Sequence, residues 1–247
     1  MSTSEALGKT ETINGKRYYN VPGGLKYPSV TTIIGEFSDD TGLIEWRERV
    51  GDAEADRISE LGRNRGTVMH QLYEYYLAAP HTKKSERLKY AQEKIIDFIK
   101  QEGFTEQEET IGRKLFFNSY NSGLFDRIKK VICLEDMLHC SLMGGYAGRV
   151  DTIYLNHKNQ VIILDFKSSK KSKDKDWISD YYDQIAAYYL AYWEMTGEKP
   201  AGGEIWISNE RDWEPQIFEV NGEDLLKHAK SFLKKVKMYH EKYPMVK

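Results

Sequence analysis

Apolar residues recur at two different spacings along this chain, and the change of spacing divides the chain into two parts. In the first part they recur every three or four residues, which is typical of helices that bury one face. A glycine, Gly103, follows the last of these segments and is expected to end it. The spacing predicts three helices, over residues 43–61, 66–79 and 86–102.

Two short segments on either side of these helices have patterns of their own. The dipeptide Asn14-Gly15 separates two β-rich runs, which is a strong signal for a two-residue turn and predicts a hairpin over residues 11–21. Three acidic residues follow the last predicted helix, and we interpret them as part of a loop; they are Glu106, Glu108 and Glu109.

From about residue 111 the pattern becomes typical of strands. Runs rich in Val, Ile and aromatic residues predict strands over residues 130–136, 146–155, 160–166, 204–208 and 216–220. Helical spacing returns in an aromatic segment, 177–196, and in a final amphipathic segment, 222–240. This order of elements predicts an α/β or α+β fold built on a mixed sheet.

The composition is that of a globular protein. Of the 247 residues, 40% are apolar and 13% aromatic, which argues against disorder. No apolar run reaches the ~18–20 residues that a membrane span needs, and residues 1–10 lack the apolar stretch of a secretory signal. We therefore expect no membrane association and a cytoplasmic location, in a bacterium or in the host cell of a virus. The two cysteines form no Cys-x-x-Cys pair, so no iron–sulfur cluster is expected.

The net charge of −2 excludes a bulk electrostatic attraction to nucleic acid. Any binding of phosphate must therefore come from a metal ion or from local basic groups. One such group follows the third predicted strand and could contact a phosphate backbone, although a solvated loop is the alternative; it comprises Lys170, Lys171 and Lys173.

The candidate chemistry lies on the two central strands, which a turn-rich tetrapeptide at residues 156–159 joins. A three-residue loop centred on Lys158 would place Asp151 directly opposite Asp165, with Cβ atoms roughly 4.5–5.5 Å apart. Two carboxylates that close cannot both stay ionised unless a proton or a cation compensates them. A hard divalent ion such as Mg²⁺ or Mn²⁺ would do so.

A lysine strengthens this interpretation. Lys167 is two residues after Asp165, so on a strand both side chains point to the same side. An ammonium group beside metal-bound carboxylates can orient or deprotonate a water that attacks phosphorus. A surface ion pair is the common alternative for an Asp-x-Lys sequence, but both strands are too apolar to form a solvated face.

Further candidates lie outside this hairpin. Glu135 ends an apolar run and is either a third acid of the site or a solvated strand end. His70 shares a helix face with Gly66, and a glycine there lets that face approach a neighbouring element closely. Gln184 and Tyr188 also share a helix face; they could bind a metal-site water or a phosphate, or they could pack in the core.

Together these residues resemble the PD-(D/E)XK nuclease superfamily, and within it the RecB-like branch. The resemblance rests on five elements in order: Gly66 and His70, Glu135, Gly148-Arg149-Val150-Asp151, Asp165-Phe166-Lys167, and Gln184 with Tyr188. Residues 27–34 and 43–46 also resemble the mitochondrial genome maintenance exonucleases and stand-alone phage exonucleases. Val150 stands where the literal family motif has proline, and the cysteines of the iron–sulfur relatives are missing.

The resemblance implies an α/β, restriction-endonuclease-like fold, with a mixed β-sheet core flanked by helices. It implies a single nuclease domain over residues 1–247, with an N-terminal hairpin and extended segment (1–40), a helical elaboration (41–105) and the nuclease core (110–247). The metal would be held by three side chains and the Phe166 carbonyl; the side chains are those of His70, Asp151 and Asp165.

The resemblance also implies roles for the other residues. Glu135 would be an accessory acid, Lys167 would position the attacking water, and Gln184 and Tyr188 would support the site and the scissile phosphate. Arg63 and Arg65 are candidate phosphate contacts.

The expected activity is that of a Mg²⁺-dependent DNA exonuclease, with Mn²⁺ as an alternative ion, acting as a monomer on single strands or strand ends. The expected process is DNA replication, recombination or repair. Two alternatives stay open: a structure-specific or double-strand endonuclease, and a non-catalytic nucleic-acid-binding recombination partner.

Overall fold

The computed structural model describes residues 8–243, and all structural statements below concern that range. Its strands are β1 (Thr10–Ile13), β2 (Lys16–Val21), β3 (Leu25–Pro28), β4 (Lys130–Cys140), β5 (Tyr146–Leu155), β6 (Val161–Ser169), β7 (Gly202–Asn209) and β8 (Gln216–Asn221). Its helices are α1 (Val30–Glu36), α2 (Thr41–Val50), α3 (Asp52–Ala78), α4 (Lys84–Glu102), α5 (Glu106–Asn121), α6 (Ser179–Thr196) and α7 (Gly222–Lys242).

The core is a five-stranded sheet with helices on both faces. The strand order is β4-β5-β6-β7-β8, and only β6 and β7 run parallel. One face, which includes Ile153 and Ile163, packs against α1, α6 and α7. The other face, which includes Phe166 and Trp206, packs against α3, α4 and α5. The predicted α/β fold with a mixed, restriction-endonuclease-like sheet is therefore confirmed.

A second, three-stranded sheet is formed by β1, β2 and β3. The predicted hairpin is present: Ile13 pairs with Lys16, and Asn14 and Gly15 both have the positive φ angles that such a two-residue turn requires. The segment that was expected to be extended also contains β3 and the short helix α1. Tyr27 packs this sheet onto Ala147 of β5, and a Cβ at Gly145, just before β5, would lie 2.3 Å from the Tyr27 ring.

The boundaries of the first two predicted helices are wrong. Gly51 has φ +84° and separates α2 from α3, so the helix predicted over residues 43–61 is broken there. The helix then continues through Gly62 and Gly66 to Ala78, because packing of its buried face outweighs the low helix propensity of glycine.

The acidic loop predicted after residue 102 is wrong as well, because its residues form the first turn of α5. The Thr105 hydroxyl accepts from the Glu108 N–H, and the Glu108 carboxylate accepts from the Thr105 N–H at 2.7 Å. This capping box supplies partners for both amide groups, and negative charge is favourable at a helix N-terminus. The same three glutamates that suggested a loop are therefore a helix start.

The N-terminal sheet and the last helix are joined through one carboxylate. Glu36 accepts hydrogen bonds from Lys16 on β2 at 2.5 Å, from Lys242 on α7 at 2.6 Å and from the Tyr243 hydroxyl at 2.8 Å. These partners lower the pKa of Glu36 to about 2. A buried contact lies beside this cluster, between the hydroxyls of Tyr18 and Tyr239, at 3.0 Å.

Candidate active site

The site begins at the end of the β5–β6 hairpin. Its register is the predicted one: Leu155 pairs with Val161 and Thr152 with Leu164. Beyond that pair the backbone ladder ends, and the Asp151 carboxylate accepts a hydrogen bond from the Phe166 N–H at 2.7 Å. An aspartate side chain therefore bridges the two strands where the next backbone pair would lie.

Helix α3 brings a histidine to this carboxylate. His70 Nδ1 lies 3.6 Å from Asp151 Oδ2, and its ring packs edge-on against Phe166 with the centroids 5.9 Å apart. The close approach of α3 depends on Gly66, where a Cβ would lie 2.9 Å from the Ser168 hydroxyl on β6. The glycine one turn before the histidine thus does what the sequence suggested, and the element that it approaches is β6.

Glu135 comes to the same place from β4. Its φ is +52°, an unfavourable value for glutamate, and the pairing of β4 with β5 skips it between Leu134 and Asp136. One donor atom from each of His70, Glu135 and Asp151 lies within 4.8 Å of the others. Within residues 8–243 this is the one group of three such side chains placed so that they could hold a metal ion, and we call it the acidic group. It includes the glutamate that was expected to be only accessory.

The buried Asp165 and the half-buried Lys167 form an ion pair behind this group. Asp165 is 1% exposed, and the Lys167 ammonium is in ionic contact with its Oδ2. Asp165 Oδ1 has no hydrogen-bond partner among the described residues. The Lys167 Nζ also lies 5.2 Å from the centre of the Tyr181 ring on α6. Asp165 thus has one oxygen in contact with a cation and one that is buried and unpaired.

Helix α6 closes the face of the site beside β5. Tyr188 is buried, and a Cβ at Gly148 would lie 3.0 Å from its hydroxyl, so this glycine lets α6 pack directly onto β5. Gln184 and Tyr188 line a cleft together with Glu135 and Arg149. Both predicted helix residues therefore lie next to the acidic group, although the tyrosine is also part of the core.

The predicted phosphate contacts fall into three positions. Arg63 is exposed and lines a cleft of about 480 Å³ with His70, Glu135 and Asp151. Arg65 instead forms an ion pair with Glu210 at the end of β7, and its side chain is 11% exposed. The lysines lie in the loop that follows β6, where Lys170 and Lys171 are exposed and Lys173 is half-buried.

The acidic residues shift each other's titration. Burial raises the pKa of Glu135 to about 8, and the charges of Asp151 and Glu74 act in the same direction. Burial also raises the pKa of Asp165 to about 6, although the Lys167 ammonium opposes this. For Asp151 the pKa is raised, again mainly by burial. Each carboxylate is therefore short of positive charge.

The neighbouring bases respond to the same surroundings. Burial, together with the nearby Lys167 ammonium, lowers the pKa of His70 to about 4. A neutral imidazole is the form that binds metal ions. The Lys167 ammonium has a raised pKa, because the charges of Asp165 and Asp151 outweigh its burial.

These donors fit a divalent cation. They are one imidazole nitrogen and carboxylate oxygens, a set that suits Mg²⁺ or Mn²⁺, with the imidazole shifting the preference toward the softer Mn²⁺. The buried, unpaired oxygen of Asp165 and the raised pKa of Glu135 both indicate missing positive charge. The side chains at this site therefore suit the divalent metal ion that the sequence resemblance implies.

Comparison with solved structures finds distant similarity. One similar structure is that of a presumed exonuclease from Eubacterium rectale, with 15% sequence identity and a TM-score of 0.45. The match covers 72% of this chain and 65% of the other, so this chain spans less than two thirds of that protein. Another is the protein SSO0001, 16% identical with a TM-score of 0.36, where the match covers 70% of this chain and 84% of that one. A comparison with curated protein sequences finds no match.

The comparison with protein-family models gives a match over most of the chain. The family model of the PD-(D/E)XK nuclease superfamily matches residues 43–243, which include every residue of the acidic group and the Asp165–Lys167 pair. No helix in the part of the chain that the structure describes is long and apolar enough to cross a bilayer. The finer resemblance to the RecB-like branch stays a prediction. Because the match covers most of its length, the chain belongs to the PD-(D/E)XK nuclease superfamily.

Proposed function

We propose that this protein is a divalent-metal-dependent DNA exonuclease that hydrolyses phosphodiester bonds at single strands or strand ends. The observation that carries the proposal is the convergence of His70, Glu135 and Asp151 beside the Asp165–Lys167 pair. Membership of a nuclease superfamily supports hydrolysis of a nucleic acid. Consumption of strand ends would place the protein in DNA replication, recombination or repair.

Four side chains are the proposed ligands of Mg²⁺ or Mn²⁺: His70, Glu135, Asp151 and Asp165. The Phe166 carbonyl is proposed as a further ligand, since its N–H is already fixed by Asp151. A bound divalent ion would neutralise charge on the scissile phosphate and polarise the attacking water. We propose Glu135 as a ligand rather than only an accessory acid, because its carboxylate lies within 4.8 Å of donor atoms of His70 and Asp151.

The chain's own groups would orient the reactants. In hydrolysis a bond forms between the water oxygen and phosphorus as the water gives up a proton, the bond from phosphorus to the leaving oxygen breaks, and the leaving oxygen gains a proton. Lys167 carries an ammonium held in place by Asp165, so it can donate a hydrogen bond to the water and stabilise charge on the phosphate. Gln184 and Tyr188, on the adjoining wall, would orient the phosphate.

The test of exonuclease action compares three substrates with Mg²⁺ or Mn²⁺ present: end-labelled single strands, linear duplexes and covalently closed circles. We expect nucleotides to be released from linear single strands and closed circles to survive. Cleavage of circles would support the endonuclease alternative instead. Chelation of the metal by EDTA should stop the reaction, and restored Mn²⁺ should recover it.

The non-catalytic alternative is tested with Asp165→Asn, which keeps the shape of the side chain and removes its charge. We expect cleavage to be lost and DNA binding to be retained. The matched control is Asp97→Asn on the exposed side of α4, which should cleave like the wild type. Equal cleavage by wild type and Asp165→Asn would refute the assignment of the site.

A further inference from the structure

A second, larger cleft adjoins the candidate active site. Its volume is about 940 Å³, near the upper end of the roughly 300–1,000 Å³ that is usual for ligand cavities. It shares Glu135 and Arg149 with the smaller cleft that contains His70 and Asp151. The two clefts therefore meet at the acidic group, one on each side of it.

The outer wall of this larger cleft is the N-terminal sheet. Lys9, Thr10, Arg17 and Tyr19 line it from β1, β2 and the residues just before them. The wall has a fixed position relative to the site, because Tyr19, Val21 and Tyr27 pack against Ala147 on β5. A backbone hydrogen bond of 2.8 Å, from the Ser29 N–H to the Arg17 carbonyl, also ties the sheet to the start of α1.

The lining of this cleft is suited to a phosphate backbone. Its cations are Lys9, Arg17 and Arg149, all of them exposed. Other arginines of the protein, such as Arg65 and Arg127, form ion pairs with glutamates. Within residues 8–243, in contrast, no carboxylate lies at ion-pair distance from these three cations. Arg17 instead donates to the Thr31 hydroxyl at 2.7 Å. Apart from the carboxylates of Glu135 and Asp136 where it meets the site, the lining thus combines unpaired cations with hydroxyl groups, and both bind phosphodiester oxygens.

Another cleft, about 610 Å³ in volume, serves as a comparison. It contains one arginine, Arg127, which is paired with both Glu204 and Glu219. The charge of its arginine is therefore compensated within the protein and its other cation is the exposed Lys158, whereas Lys9, Arg17 and Arg149 of the larger cleft have no carboxylate at ion-pair distance among residues 8–243. Since the whole chain has a net charge of −2, the unpaired cations beside the acidic group are a local feature.

We propose that the cleft between the N-terminal sheet and β5 holds the single-stranded DNA that adjoins the scissile phosphate, through phosphate contacts from Lys9, Arg17 and Arg149. This proposal rests on the proposed nuclease function and adds to it the path of the bound strand. The contacts are to phosphates, so binding along this path is independent of base sequence.

The test measures binding of a fluorescent oligothymidine by anisotropy at several salt concentrations, in the Asp165→Asn background with Mg²⁺. Each phosphate contact with single-stranded DNA contributes about 0.7 to the slope of log Kd against log salt concentration. Lys9→Ala with Arg17→Ala should therefore lower this slope by about 1.4 and weaken binding at low salt on the order of tenfold. The control pair is Lys89→Ala with Lys158→Ala, two exposed lysines on α4 and at the far end of the hairpin, and it should leave both values as they are.

A second measurement separates this proposal from the nuclease function. In the cleaving protein, KM should fall as the oligonucleotide is lengthened from two nucleotides to about ten, and the Lys9/Arg17 pair of substitutions should remove most of that gain. If the Lys9/Arg17 variant has the same salt slope and the same dependence of KM on length as the control pair, the proposed path of the strand is refuted. If the wild type cleaves no DNA, the function fails, and the salt slope in the Asp165→Asn background still decides whether the cleft binds a strand. A thermal melt establishes that each variant is folded.

Discussion

Two aspartates are equally buried and have opposite surroundings. Asp165 on β6 and Asp183 on α6 are each 1% exposed. The carboxylate of Asp183 is surrounded by donors: His228 Nδ1 at 2.7 Å, the Ser231 hydroxyl at 3.1 Å and Lys235 Nζ at 3.0 Å. The carboxylate of Asp165 contacts one ammonium and faces two other acids, Asp151 and Glu135.

The difference indicates how a carboxylate that stabilises the fold can be distinguished from one that is proposed to bind a cation. Both groups include a histidine, a lysine and an aspartate, so residue types alone do not separate them. Around Asp183 the protein itself supplies the compensating donors, and such a network stabilises the fold. Around Asp165 compensation is incomplete and acids are crowded together, which is typical of a site that binds a cation.

The largest expected contrast is in activity. Asp165→Asn should lower the rate of cleavage on the order of 10³-fold or more, because it removes a proposed ligand and the partner of Lys167. Asp183→Asn should leave the rate per folded molecule within about twofold of the wild type, since it lies outside the site. The measurement is nucleotide release, normalised to the folded fraction. A comparable loss in both variants would show that the two aspartates do not differ in function.

The second contrast is in stability and runs the other way. Asp183→Asn leaves the half-buried Lys235 with Asp180 as its one remaining counter-charge and removes the acceptor of His228 and Ser231, and loss of one member of such a network costs about 3 kcal/mol. Asp165→Asn should cost less in the metal-free protein, because the charged form of Asp165 is already disfavoured there, as its raised pKa indicates. Urea unfolding in EDTA measures both. A greater loss for Asp165→Asn would contradict this ranking.

The third contrast is in pH dependence. In the metal-free folded protein, the pKa of Glu135 is raised from 4.5 to about 8, so the fold retains a proton that the unfolded chain has released. Its contribution to stability is therefore complete below pH 4.5 and is lost as the pH rises through about 8. Glu135→Gln should remove much of this decline, and urea unfolding in EDTA between pH 5 and 8 would show it. Equal slopes for both proteins would mean that Glu135 does not carry the effect.

The smallest expected effect concerns two glycines one turn apart on α3. Gly66→Ala would place a Cβ 2.9 Å from the Ser168 hydroxyl, so His70 should shift slightly and Mn²⁺ should bind several-fold more weakly. At Gly62 the nearest atom to such a Cβ is 4.0 Å away, so Gly62→Ala should leave binding as it is. Calorimetric titration with Mn²⁺ compares the two. Ser168→Gly should restore affinity to the Gly66→Ala protein, and failure to do so would reject this contact as the cause.

Local patterns predicted the hairpins because their register is set by adjacent residues. Asn14-Gly15 fixes the first hairpin, and the loop centred on Lys158 fixes the register of β5 and β6. Helix α5 was missed although its signal was present: Thr105 and Glu108 have the spacing of a capping box. The break at Gly51 was missed because glycine both ends helices and occurs within them.

The site was only partly predictable, because its geometry depends on contacts between distant segments. The left-handed backbone that sets Glu135 opposite Asp151 has no signature in the sequence. The pairing of Arg65 with Glu210 joins α3 to the end of β7, so it could not be read from either segment alone. The assignment of individual site residues stays a prediction that the variants above would test.

The contacts of Glu36 link residues more than two hundred positions apart in the sequence. The carboxylate joins Lys16, in the sheet that walls the larger cleft, to Lys242 at the end of the last helix. Amide hydrogens of β2 and of the last turn of α7 are therefore expected to exchange with solvent in a single opening event. The shape of the cleft wall would then be maintained, in part, by the last turn of α7.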